Sequence, residues 1–149
     1  MGVEFEKKID FKKMNERIQD AIFRAVDKQI QIELTRLKAR TKKGTDADGG
    51  AFKPYASSTI ARKKRQGKNI NSSWLEDTGQ MLGSLQTKTY MEGETVVGEI
   101  FPMGGSAVRG GGTASQKIIY NQKSRRFFAF GKEQIDRITQ AIRAAITKL

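Results

Sequence analysis

Apolar residues recur every three to four positions through the first quarter of the chain, and nothing breaks the rhythm. Phe11, Met14, Ile18, Ala21, Ile22, Ala25 and Ile32 fall on one stripe at helical period. No glycine or proline interrupts Phe11 to Leu37, so the pattern predicts one long helix over 11–37. Asp10 is the candidate N-cap. A second stripe, Phe23, Val26, Ile30, Leu34 and Leu37, lies about a third of a turn away. Two stripes admit two readings: both face one core, or the second meets a neighbouring subunit. Phe23, Ile30, Leu34 and Leu37 are therefore the candidate subunit interface.

Beyond the helix the pattern changes to turns. Asp46, Asp48, Gly49 and Gly50 supply side-chain acceptors and positive φ angles for tight turns. The Asp-x-Asp-Gly start resembles a calcium loop, but Ser57 stands where that loop needs its glutamate. Phe52, Pro54 and Tyr55 read as an aromatic anchor pinning this loop to the core. A short helix is expected over Thr59 to Lys64, capped by Ser57 or Ser58 and ended at Gln66-Gly67. Another is expected over Leu75 to Leu85, capped by Asp77 or Thr78, with Met81, Leu82 and Leu85 as its apolar face and Trp74 at its entry. Strands follow at Gln86 to Met91 and Thr95 to Phe101, joined by Glu92-Gly93-Glu94. Pro102 to Ser115 is glycine-dense, yet lacks the Gly-Lys-Ser/Thr ending of a phosphate loop and reads as an excursion. Gln116 to Asn121 is a candidate third strand centred on Ile118 and Ile119. A last helix over 132–148 carries Ile135, Ile138, Ile142, Ala145, Ile146 and Leu149.

The middle segment carries a resemblance. Asp46, Asp48, Gly49, Phe52, Pro54, Tyr55 and Thr59 match a D-x-D/N-G-x-x-F/W-x-P-L/Y-S/A-x-x-T pattern. The basic stretch Arg62, Lys63, Lys64, Arg65 and then Gly67 follows. Leu75, Asp77, Thr78, Gly79, Met81, Leu82 and Ser84 match L-x-D-T-G-x-L/M-x-x-S, and Arg126, Phe127, Phe128 and Gly131 match an R-x-F-L/F-G junction before a final helix. In this the chain resembles the phage virion morphogenesis family, which completes tails and joins them to heads. Relatives often carry a Y-A-x-x-H-x-x-G run before the junction. This chain has no histidine, and a glycine-rich segment with Ile118-Ile119-Tyr120 stands there instead.

The resemblance implies one α+β domain over 1–149: a small antiparallel sheet packed by a long N-terminal helix and a C-terminal helix, with short helices and long loops between. Its parts are a long helix 11–37, a basic loop and short helices 38–85, a sheet 86–121 and a C-terminal helix 132–148. The Asp48, Gly49, Phe52, Pro54 and Tyr55 group and the Asp77, Thr78 and Gly79 group are its structural motifs. It further implies a homo-oligomeric ring, a hexamer, at the neck or head-proximal tail end of a virion assembled in a host cytoplasm. The partners would be head-connector and tail-tube proteins.

Charge adds a second reading. The 149 residues carry 28 Lys and Arg against 16 Asp and Glu, a net charge of +12. From Arg36 to Lys68 there are eleven basic residues and two acids. Arg40, Lys42, Lys43, Arg62, Lys63, Lys64 and Arg65 are candidate contacts for DNA phosphates or for an acidic partner. A dedicated, sequence-independent nucleic-acid binder is the competing function, although no known binding-module motif is present. Cysteine and histidine are both absent, which removes thiolate chemistry, the commonest general base and the commonest metal ligand. No cofactor is expected. Glu76 with Asp77, or a serine with a lysine, could be catalytic fragments. Paired acids at a helix start more often serve as caps, so no enzyme is expected. No apolar run reaches membrane-spanning length and no signal-peptide core opens the chain, so no membrane partner is expected.

Overall fold

A computed structural model describes residues 11–68, 70, 80–103, 113–123 and 125–149. Helix α1 spans Phe11–Lys42 and runs five residues beyond the predicted end at Leu37. Gly44 stops it. This residue takes φ +80°, its N–H donates to the Thr41 carbonyl at 3.0 Å, and the Thr45 N–H donates to the Arg40 carbonyl at 3.0 Å. Those two bonds are the Schellman closure, which needs a left-handed residue just past the helix and so favours glycine.

After α1 the chain makes a tight loop, closed by a single bridge between Thr45 and Ala51. Helix α2 spans Ser57–Arg65 with Ala56 at its N-cap and no side-chain cap, in place of the expected serine. Helix α3 is the short turn Gln80–Gly83. The predicted start of that helix, with Trp74, Leu75, Asp77, Thr78 and Gly79, lies outside the described residues, as does Asp10.

Strands β1 (Leu85–Glu92) and β2 (Thr95–Pro102) pair antiparallel from Leu85 opposite Pro102 to Glu92 opposite Thr95. The two-residue turn uses Gly93 at φ +59°, as a tight hairpin requires. With α1 and the C-terminal helix this makes an α+β arrangement. The third strand is not there. Ala114–Gln122 forms helix α4 instead. The Gln116 N–H donates to Thr113 Oγ1 at 3.3 Å, and the Thr113 N–H donates to Gln116 Oε1 at 2.9 Å. This capping box nucleates a helix strongly enough to override the strand preference of Ile118-Ile119-Tyr120. Helix α5 spans Lys132–Thr147 and packs along α1.

The core is built from Leu37, Phe52, Met81, Leu82, Leu85, Ile118 and Phe127, with Leu34, Ile100 and Phe128 packed on it. Helix α1 lies directly on the hairpin. A Cβ built at Gly98 in β2 would stand 2.7 Å from Val26 Cγ1, so only glycine lets helix and strand approach this closely.

The helix presents its two stripes to different neighbours. The second stripe faces the protein's own interior: Ile30 is 3 % exposed, Leu37 is 2 % exposed, Val26 is buried and Leu34 packs on the core. Ile30, Leu34 and Leu37 are thus core residues and not a surface for a neighbouring subunit; Phe23 is half-buried. The physical reason is the hairpin, whose Gly98 gap is filled by the second stripe.

Candidate functional site

Asp46 organises the loop that follows α1. Its Oδ1 accepts the backbone N–H of Asp48 at 2.9 Å and of Gly50 at 2.7 Å, while its own N–H donates to the Gly50 carbonyl at 2.8 Å. Gly49 takes φ +89°, which explains glycine there. Phe52 is buried in the core and its N–H donates to the Gly44 carbonyl at 2.7 Å, whereas Pro54 is exposed and Tyr55 half-buried, so of the expected aromatic anchor only Phe52 is a core residue.

This loop is fastened to a segment about eighty residues later in the chain. The Ala47 N–H donates to the Arg126 carbonyl at 2.9 Å, and Arg126 Nη1 meets Asp48 Oδ2 at 2.6 Å. Arg125 Nη2 donates to the Pro54 carbonyl at 3.3 Å. Two cations lie against the Tyr55 ring: Arg125 Cζ is 4.6 Å and Lys63 Nζ 4.9 Å from its centroid. Gly131, the N-cap of α5, sits so close that a Cβ there would be 2.3 Å from the Ala47 carbonyl oxygen.

Arg40 belongs to the same fastening. Its Nη2 donates to the carbonyls of Phe127 at 2.9 Å and Ala129 at 2.5 Å. Burial lowers the pKa of its guanidinium, and Glu33 and Asp46 partly offset this. Arg40 is therefore a structural residue and not a surface contact for DNA or an acidic partner. Lys63 is 4 % exposed against Tyr55 and is likewise not a surface contact. Lys42, Lys43, Arg62, Lys64 and Arg65 are exposed. The basic run thus splits, with Arg40 and Lys63 turned inward by their carbonyl and aromatic partners.

Between α1 and α5 lies a feature the sequence reading did not anticipate. The Glu33 side chain is fully inaccessible. Its Oε1 accepts from Gln29 Nε2 at 2.9 Å, Arg36 Nη1 at 3.0 Å and Arg137 Nε at 2.8 Å; its Oε2 accepts from Arg137 Nη2 at 2.8 Å. Arg137 also reaches Glu133 at 2.6 Å. Burial pushes the Glu33 carboxyl upward, but the hydrogen bonds and charge of Arg137, with those of Gln29 and Arg36, outweigh it and hold the pKa below the usual value. One signal was available: Glu33 sits at core spacing between Ile30 and Leu37.

The two helices run antiparallel, with Glu33 meeting Arg137 near the start of α5. Toward the other end a groove of about 640 Å³ opens between them. Its lining includes Ala21, Ala25 and Ile32 of α1 with Ala141 and Ala145 of α5, and Arg17, Arg24, Lys28 and Lys148 are its basic residues.

The chain matches no protein-family model, no curated protein and no solved structure. Among the described residues no helix is long and apolar enough to cross a membrane.

Proposed function

We propose that the protein is a non-enzymatic structural part of a tailed-phage or prophage particle. In this reading it acts in tail completion and head–tail joining, as a homo-oligomeric ring at the neck or head-proximal tail end. The observation that carries the reading is the interlock of two resemblance segments far apart in sequence. Asp48 of the Asp-x-Asp-Gly turn grips Arg126 of the Arg-Phe-Phe junction, and Ala47 bonds the same residue's carbonyl. Residues that match a family pattern separately also serve one structural purpose together, as expected of an inherited scaffold. The half-buried Arg40 and the buried Glu33 fit it too, since both hold elements together.

The subunit surface of such a ring is not the second stripe of α1, which the core uses. Rings close through heterologous contacts between different faces of each copy. The test is direct. Particles induced from the source, purified and analysed by mass spectrometry, should contain the protein in ring stoichiometry, and electron microscopy of the protein with its head-connector and tail-tube neighbours should show rings. Absence from purified particles, with a monomer under every assembly condition, overturns the reading.

A second reading rests on the exposed Arg62, Lys64 and Arg65 of α2: sequence-independent contact with DNA phosphates. Such binding weakens steeply with salt and ignores sequence. Tight, sequence-dependent binding at physiological salt would favour a dedicated nucleic-acid binder over the particle part.

A further inference from the structure

The α1–α5 groove combines three features. Its floor is made largely of small apolar side chains, Ala21 and Ala25 facing Ala141 and Ala145. Its basic residues come from both sides: Arg17, Arg24 and Lys28 on α1 and Lys148 at the C-cap of α5, against one acid in the lining, Asp20, already paired with Arg24 at 2.8 Å. Finally, the first stripe of α1 continues past the groove. Residues 12–17 are all exposed, and Met14 is 45 % exposed on the same stripe as Ala21 and Ala25.

A floor of alanines lets another backbone come close, and positions recurring at three and four residues on both helices form the seat that a third helix fills. The stripe from Met14 to Ile32 is about 27 Å long at 1.5 Å per residue, which calls for roughly 18 residues of partner helix. The basic side chains select the partner's flanks. A second copy of this chain is a poor fit on charge, since each copy carries +12 overall. We propose that the groove docks an amphipathic helix with acidic flanks from another protein, its apolar edge on the alanines and its carboxylates on Lys28, Lys148, Arg17 and Arg24. The inference does not depend on the particle reading, because a free monomer would carry the same groove.

The probe is a synthetic helix of about 18 residues with a leucine edge and glutamate flanks, labelled and followed by fluorescence anisotropy against the full chain. It should bind with a Kd on the order of 10 μM and weaken as salt rises. The same helix with lysine flanks should not bind. Lys28→Glu with Lys148→Glu places one reversal on each side of the groove and should raise Kd about tenfold, with an unchanged melting temperature. Ala25→Trp fills the floor while keeping every charge and should abolish binding. The proposal is overturned if the lysine-flanked helix binds as well, or if either variant leaves affinity unchanged. It is equally overturned if sedimentation shows self-association that Ala25→Trp abolishes while the acidic helix does not bind, which assigns the groove to a second copy.

Discussion

Arg137→Ala should be among the most costly single substitutions in this protein. It removes two of the four donors on Glu33 and leaves an inaccessible carboxylate with only Gln29 and Arg36. Breaking a buried ion pair by deleting one partner costs about 3–5 kcal/mol, because the remaining charge stays desolvated. For a domain of this size each kcal/mol moves the melting temperature by about 2–4 °C, so the expected drop is about 6–20 °C. Glu33→Leu with Arg137→Leu should recover most of that loss, since an apolar pair of similar volume carries no desolvation cost. Acid provides the internal check. The folded pKa of Glu33 lies below its unfolded value, so between the two the unfolded state binds more protons. The stability it contributes is therefore present above the unfolded carboxyl value, about 4.3, and is lost as pH falls through the lower folded value. Chemical denaturation followed by circular dichroism should show a large gap between wild type and Arg137→Ala at about pH 7 and a much smaller one at about pH 3. A loss below about 1 kcal/mol, or a gap of equal size at both pH values, would refute the account of Glu33 as a charge held by Arg137.

Phe52→Ala should cost about 3–5 kcal/mol in denaturant unfolding, because the ring is buried in the core beneath the Asp46 turn. Gly98→Ala should cost about 1–3 kcal/mol by the same measurement, since the new methyl would sit 2.7 Å from Val26 and push α1 off the hairpin. Neutralising Arg62, Lys64 and Arg65 together should reduce salt-sensitive DNA retention while shifting stability by about 0.5 kcal/mol or less per site, because all three are exposed.

The long helices and the hairpin were legible because their periods are clean and their ends are marked. The Gly93 turn announced the hairpin, and an unbroken apolar rhythm announced α1. The end of α1 was also written in the sequence, at Gly44, but the charged residues after Leu37 hid it. Helix α4 was misread because a run of β-branched and aromatic residues outweighed the quieter Thr113-x-x-Gln116 signal; its Ile119 and Tyr120, 63 % and 76 % exposed, are not core residues. Which stripe of α1 met the sheet could not be read from α1 alone, because the deciding residue, Gly98, lies in another element. The basic run misled for a related reason. Charge counts treat Arg40 and Lys63 like their neighbours, whereas the Phe127 and Ala129 carbonyls and the Tyr55 ring draw them inward.

The fastening of the early loop to the late segment has a consequence for synthesis. A ribosome releases α1 and the Asp46 turn long before it makes their partners: Arg126 lies 78 residues after Asp48, the Phe127 carbonyl 87 after Arg40, and Arg137 104 after Glu33. Contacts so distant along the chain close late, after the loop entropy between them has been overcome. Until Arg137 is made Glu33 therefore has only its helix neighbours Gln29 and Arg36, and until Pro102 is made the inner stripe of α1 lacks the complete hairpin. The nascent chain carries an exposed apolar helix until the hairpin emerges, and that interval is when it most needs a chaperone or a dilute surrounding.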